Sequence, residues 1–208
     1  MKQLFQKVEH LKNSRVKNII DIKLKQFKDL GKGTNKEIFK ELCFCILTAN
    51  FNAKRSIEIQ MKIGDKFLDI PESKLTEKLR QLGHRYPNAR AEYIVNARKY
   101  KNSIKDIVMK FPDEKKLREW LVKNVKGLGY KEASHFLRNI GYENLAIIDF
   151  HIIDILVRHN VIKKPKTLSK RKYLEIENSL KKIAAILKMN LAELDLYLWY
   201  METGKILK

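Results

Sequence analysis

The sequence predicts an all-α protein. Apolar residues recur at helical spacing through almost the whole chain, and no stretch alternates apolar and polar residues over strand length. Glycine and proline interrupt the pattern at short intervals, as connections between helices require. In order, the first segment (2–12, KQLFQKVEHLK) is amphipathic and does not read as a leader. A helix over 16–29 ends near Gly31-Lys32-Gly33, and one over 35–49 carries the apolar run ELCFCILTA. The spacing predicts a helix over 53–68 before Pro71, and one over 73–82 that stops at Gly83 ahead of Pro87. Residues 88–106 read as one helix that ends before Pro112. FPDEKKLREWLV then opens 113–124, with proline and acidic residues where the helix dipole favours them. Gly141 stops a helix over 130–140, and Lys164-Pro165 separates 150–159 from 169–187. A last helix, 190–201, runs to Gly204, a glycine suited to a helix end.

Charge narrows the partner. Across 208 residues, 44 Lys+Arg face 24 Asp+Glu, a formal net charge of +20, which points to a polyanion. A lysine-rich thermophilic composition would raise both signs together and does not explain the imbalance. An apolar fraction of 44% is that of a globular protein, so disorder is not expected. Cys43 and Cys45 are two apart in a helical segment and point to different sides, which suits neither a disulfide nor a metal site. The five histidines show no ligand spacing, so no metal and no cofactor is expected. No apolar run approaches 18 residues, so no membrane span is expected either. The expectation is a soluble, cytoplasmic protein.

Residues 125–151, VKGLGYKEASHFLRNIGYENLAIIDFH, carry the chemistry. Leu121 and Val125 precede the glycines Gly127 and Gly129, and Ala133 and Leu137 follow on the inward face of the next helix. Leu128 would tuck into the angle between the helices while the glycine amides face outward, free to meet a phosphate. Lys131 stands in the first turn of that next helix, where the positive end of the dipole disfavours an ammonium. Nucleophilic lysine chemistry requires the neutral amine. Eighteen residues on, Asp149 ends an apolar run and opens a helix. As an N-cap it contributes about 1 kcal/mol, and a carboxylate held rigidly there can also take a proton or stabilise cationic sugar character.

At GLGYK and AIIDFHI the chain resembles the helix-hairpin-helix DNA glycosylases, the relatives of endonuclease III. In them a Gly-x-Gly-x-Lys hairpin is followed, after a short helix and an apolar strand-like run, by a catalytic aspartate. ILTANFNA (46–53) and LGHRYPNARAEYIVNAR (82–98) extend the resemblance, which covers about 35–160 and, more weakly, both ends. No cluster of four C-terminal cysteines is present, and no N-terminal β-domain. The length and the ending WYMETGKILK resemble the type-2 8-oxoguanine DNA glycosylase/AP lyases, found mainly in archaea and a few bacteria.

That resemblance implies one helix-hairpin-helix glycosylase unit over 1–208. It has two helical lobes and a DNA-binding cleft between them. The hairpin motif falls at about 113–140, the N- and C-terminal helices form one lobe, and about 35–110 forms the other. Gly127 and Gly129 would hold a phosphate, while Asn50, Arg85 and Tyr86 would enter the duplex and meet the orphaned base. Lys131 and Asp149 would do the chemistry. Trp199, Lys208 and Asp195 are candidates for the base pocket, although Leu194, Leu198 and Trp199 also read as a plain apolar helix face. The implied partner is double-stranded DNA containing 8-oxoguanine, met by a monomer in a prokaryotic cytoplasm. Two other readings fit part of the pattern: a non-catalytic DNA-binding module, and an endonuclease-III-like enzyme for oxidised pyrimidines.

Overall fold

The computed structural model describes residues 1–208, all of it helix and connection with no strand. In order the helices are α1 (Lys2–Lys12), α2 (Arg15–Lys32), α3 (Asn35–Thr48), α4 (Ala53–Ile63), α5 (Glu72–Gln81) and α6 (Pro87–Ala97). They continue with α7 (Ile104–Met109), α8 (Glu114–Asn124), α9 (Tyr130–Asn139), α10 (Phe150–Arg158), α11 (Lys170–Ile186) and α12 (Leu191–Thr203). Local chemistry starts many of them. Ser14, Asn52, Asp113, Asp149, Ser169 and Asn190 each accept a hydrogen bond from a first-turn amide. Thr34 and Glu37 close a capping box on α3, and Gly204 ends α12 in the left-handed conformation.

Buried apolar side chains form two clusters. One runs from Ile38 on α3 to Leu145 and includes the α8–α9 hairpin through Leu117, Leu121, Val125, Leu128, Ala133 and Leu137. The other joins α1 and α2 to α10, α11 and α12, from Leu4 and Ile20 to Tyr197 and Leu198. The chain passes between them within α2, between Phe27 and Leu30, and again at 145–146. Cys43 and Cys45 are fully buried in the first cluster.

Four expectations change. The helix expected over 53–68 ends at Ile63, and 64–68 is a tight 3-10 turn. Burial of Phe67 pulls that turn inward, and Arg98 Nε donates to its carbonyl at 2.9 Å. The helix expected over 88–106 breaks after Ala97. Lys101 Nζ reaches the Leu68 carbonyl at 3.0 Å, and Asn35 bridges the Asn102 carbonyl and the Lys105 amide, both at 2.8 Å. Those long-range bonds override a continuous helical pattern. Gly31 is not a stop, because α2 runs through it. A Cβ there would lie 2.1 Å from the Ile140 carbonyl oxygen, so the glycine lets α2 press against the end of α9. The apolar run before Asp149 pairs with no strand, and no main-chain group of 145–148 bonds to another main-chain group.

Candidate active site

Gly127 and Gly129 take different parts in the α8–α9 turn. Gly127 has φ +88°, in the left-handed region, and an added Cβ would lie 2.2 Å from the Tyr93 ring. Gly129 is extended, and a Cβ there would meet only the flexible Glu132 carboxylate, at 3.3 Å. Neither glycine N–H donates to a main-chain carbonyl, while Leu128 between them is buried. The turn is braced from outside by the Lys126–Glu92 ion pair and by the Tyr130 hydroxyl on Glu119. Gly127→Ala should therefore destabilise the fold by roughly 2 kcal/mol through overpacking and backbone strain. Gly129→Ala should melt within a degree or two of wild type, at less than about 0.5 kcal/mol. Thermal melts of the two variants check this.

A cleft of about 1170 Å³ gathers most of the candidate side chains. Asn50, Arg85, Lys131, Asp149, Asp195, Trp199 and Lys208 all line it; Tyr86, Gly127 and Gly129 do not. Lys131 projects from the first turn of α9, its side chain 23% exposed and its ammonium 3.8 Å from Glu132. Asp149 caps α10, its Oδ1 accepting from the Ile152 amide at 3.0 Å. The sequence reading of Asp149 as a rigid helix cap is what the structure contains.

Asn50 sits at the mouth with φ +54°, a conformation asparagine tolerates better than most residues. Its loop is clamped from below. Arg90 donates to the Ala49 carbonyl at 2.5 Å and His84 Nε2 to the Leu47 carbonyl at 3.0 Å. His84 Nδ1 accepts from the Tyr86 amide at 3.0 Å, so the ring is neutral, and Phe51 stacks on it at 4.1 Å. Arg85 lies over the Tyr86 ring at 5.1 Å, so these two residues form one exposed unit beside Asn50.

The floor of the cleft is where the sequence is least informative. Asp195, expected as a solvated charge if not part of a pocket, is largely covered, its side chain 12% exposed and 3.6 Å from Arg138. Burial pushes its carboxyl up to about 6 against the pull of Arg138, and Asp149 pushes the same way as burial. Leu194 and Leu198 face the second cluster, whereas Trp199 turns into the cleft and meets His151 edge-on at 5.2 Å. The tail folds inward. Lys208 Nζ bonds Glu41 at 2.7 Å and Gln60 at 2.5 Å, over the Phe44 ring. Glu41 is only 3% exposed and also accepts from Asn139 at 2.6 Å. A glutamate at the head of the apolar run in ELCFCILTA is the one signal in the sequence for that anchor.

His135, Arg138, Phe150 and His151 also line the cleft and escape the sequence reading. Phe150 is 67% exposed and stacks on His151 at 4.0 Å beside Asp149. His135 is buried with neither ring nitrogen partnered, and Arg138 keeps Nε and Nη1 unbonded. Burial, then Arg138 and Lys131, hold the His135 imidazole well below its ordinary value of 6.5. The native state therefore binds fewer protons than the unfolded chain. This contribution to stability is present above pH 6.5 and is lost as pH falls toward the depressed folded value. Melting temperature should drop from pH 7 to pH 5, and less steeply in His135→Gln. No three His, Cys, Asp or Glu side chains converge in a group that could hold a metal. No helix is long and apolar enough to cross a membrane.

A family model described as 8-oxoguanine DNA glycosylase matches residues 20–189. The chain is 59% identical over 206 residues to the 8-oxoguanine DNA glycosylase/AP lyase of Methanocaldococcus jannaschii, spanning 99% of each. It is 54% identical to the protein of the same name in Korarchaeum cryptofilum, spanning 97% of this chain and 96% of that one. Among solved structures it is similar to the M. jannaschii 8-oxoguanine glycosylase/lyase in complex with a 15mer DNA containing 8-oxoguanine. The TM-score is 0.96 at 58% identity, with 99% of this chain and 100% of that chain covered. The hairpin, the cleft and these likenesses agree: the chain belongs to the 8-oxoguanine DNA glycosylase family.

Proposed function

We propose that this chain excises 8-oxoguanine from duplex DNA and then nicks the abasic strand, with Lys131 as nucleophile and Asp149 as its carboxylate partner. The observation that carries the reading is that these two side chains, eighteen residues apart, line one cleft in a member of this family. The lesion must leave the base stack before its glycosidic bond can be reached, at a cost of a few kcal/mol. The free amides of Gly127 and Gly129 hold a phosphate of the lesion strand. Asn50, with Arg85 and Tyr86, fills the vacated space and meets the unpaired base. The amine of Lys131 attacks C1′, the C1′–N9 bond breaks, and the base departs carrying a proton. The C1′–O4′ bond then breaks as O4′ takes a proton, which leaves a protonated Schiff base able to accept the electron pair of the next step. Removal of a C2′ proton then breaks the C3′–O bond and nicks the strand. Asp149 receives a proton and stabilises positive charge on the sugar.

Trp199 offers the flat face on which the extruded base stacks. Lys208 and Asp195 supply polar groups around it. 8-Oxoguanine carries an N7–H where guanine has a bare acceptor, so an acceptor aimed at N7 favours the lesion. The chain acts as a monomer on duplex DNA in this reading. Borohydride trapping on a duplex with one 8-oxoguanine opposite cytosine tests it. Matched duplexes carry thymine glycol, undamaged guanine or an abasic site. A covalent adduct with 8-oxoguanine and not with guanine or thymine glycol supports the proposal. Preference for thymine glycol moves the substrate to oxidised pyrimidines, and no adduct on any duplex leaves a DNA-binding module.

A further inference from the structure

Asp149 is capped onto α10, but that cap does not locate α10 against α9, which carries Lys131. The connection is the extended segment 145–148, whose main chain bonds to no other main chain. Side chains of α11 do that work instead. The Tyr173 hydroxyl donates to the Ala146 carbonyl at 2.6 Å and accepts from the Ile148 amide at 3.2 Å, gripping both sides of Ile147. Its ring is fully packed, between Tyr130 at 5.5 Å and Arg118 at 5.6 Å. One turn further along α11, Glu177 accepts from the Ala146 amide at 3.1 Å and holds Arg118, which donates to Ser134 at 3.1 Å. Ser134 lies on α9, three residues beyond Lys131, and its Oγ is also 3.4 Å from the Tyr173 oxygen.

We propose that Tyr173 is a positioning residue for base excision: its hydroxyl fixes the approach to Asp149 relative to the helix that bears Lys131. This rests on the reading of Lys131 and Asp149 as the reacting pair. A strand in a sheet would have its register set by neighbouring strands; here two side chains of α11 replace that ladder, Glu177 at the Ala146 amide and the Tyr173 phenol at the other two groups. Burial raises the Tyr173 phenol far above its ordinary value, so the clamp stays protonated and neutral across any working pH. Reacting groups must be held to within about 0.5 Å, and a misplacement near 1 Å can cost on the order of 100-fold in rate.

The test is single-turnover excision at saturating enzyme with Tyr173→Phe, alongside Lys131→Gln and wild type. Phenylalanine keeps the packed ring and removes only the clamp. The excision rate constant should fall by roughly 10- to 100-fold. Affinity for the 8-oxoguanine duplex should stay within about twofold, and every active site should still react. A wild-type rate constant overturns the proposal. So does a normal rate constant with reduced amplitude, which reports only a smaller folded fraction. Ser134→Ala, a milder change at the α9 end, should lower the same rate constant if Tyr173→Phe does not fold, and an unaltered rate there overturns it. If Lys131→Gln keeps full trapping, the reacting pair itself is wrong and both readings fall. If Lys131→Gln is inert while the other variants are unaffected, only the positioning role fails.

Discussion

In Lys131→Gln, borohydride should trap no adduct on 8-oxoguanine duplex, and single-turnover excision should drop by at least about 10⁴-fold, the scale on which losing a nucleophile registers. Binding of the lesion duplex should persist. Glutamine is polar, uncharged and only one bond shorter, and it stays in the first helical turn, where Lys131 makes only a loose 3.8 Å contact with Glu132. A partly exposed pair of that kind contributes well under about 1 kcal/mol, so the melting temperature should hardly move. A variant with normal turnover would remove Lys131 from the chemistry. Loss of binding and turnover together would mean that the lysine holds DNA rather than attacks it.

Glu177→Gln should be strongly destabilising for so conservative a change, at roughly 3–5 kcal/mol. Arg118 and Glu177 are 1% and 2% exposed at their side chains and meet at 2.5 and 3.1 Å. Arg118 belongs to α8 beside the first cluster and Glu177 to α11 beside the second, so the pair crosses the seam between them. Neutralising one partner leaves the other charge buried without its counter-ion, which is far worse than having neither. A loss of that size corresponds to a fall in melting temperature of around 10 °C for a chain this long. The double replacement Arg118→Met with Glu177→Leu should recover a large part of it, because the desolvation penalty then disappears with the charges. Urea melts of the three proteins decide the matter. A loss below about 1 kcal/mol in Glu177→Gln would show that the seam is held by packing alone.

Much of the candidate site is legible in the order of residues. Lys131 and Asp149 stand out because each is locally marked: one follows a Gly-x-Gly turn, the other caps a helix. Asn50 and Arg85 are reached through resemblance and line the same cleft. Asp195 is only half legible, because four-residue spacing from Trp199 places it on a helix face without saying what that face meets. His135 and Arg138 are invisible for the same reason. Each sits on α9 at a spacing that a surface residue would share, and it is buried by what packs there: Phe44 of α3 against His135, and Phe27 of α2 and Asp195 of α12 against Arg138.

The sequence by itself determined where most helices begin and end, the hairpin and its lysine, the capping aspartate and the excess of positive charge. Those features depend on residues within a turn or two of one another, or on charge summed over the chain. Tertiary structure alone decided that Glu41 anchors Lys208, that Arg118 meets Glu177 and that Tyr173 and Glu177 replace a strand partner for 146–148. It also broke the helix expected over 88–106. The strength of a buried charge pair or a buried hydrogen bond depends on how far water is excluded. That exclusion is a property of the assembled whole: the apolar run beside Glu41 hints that the carboxylate is buried, but nothing local to residues 41 and 208 says that they meet.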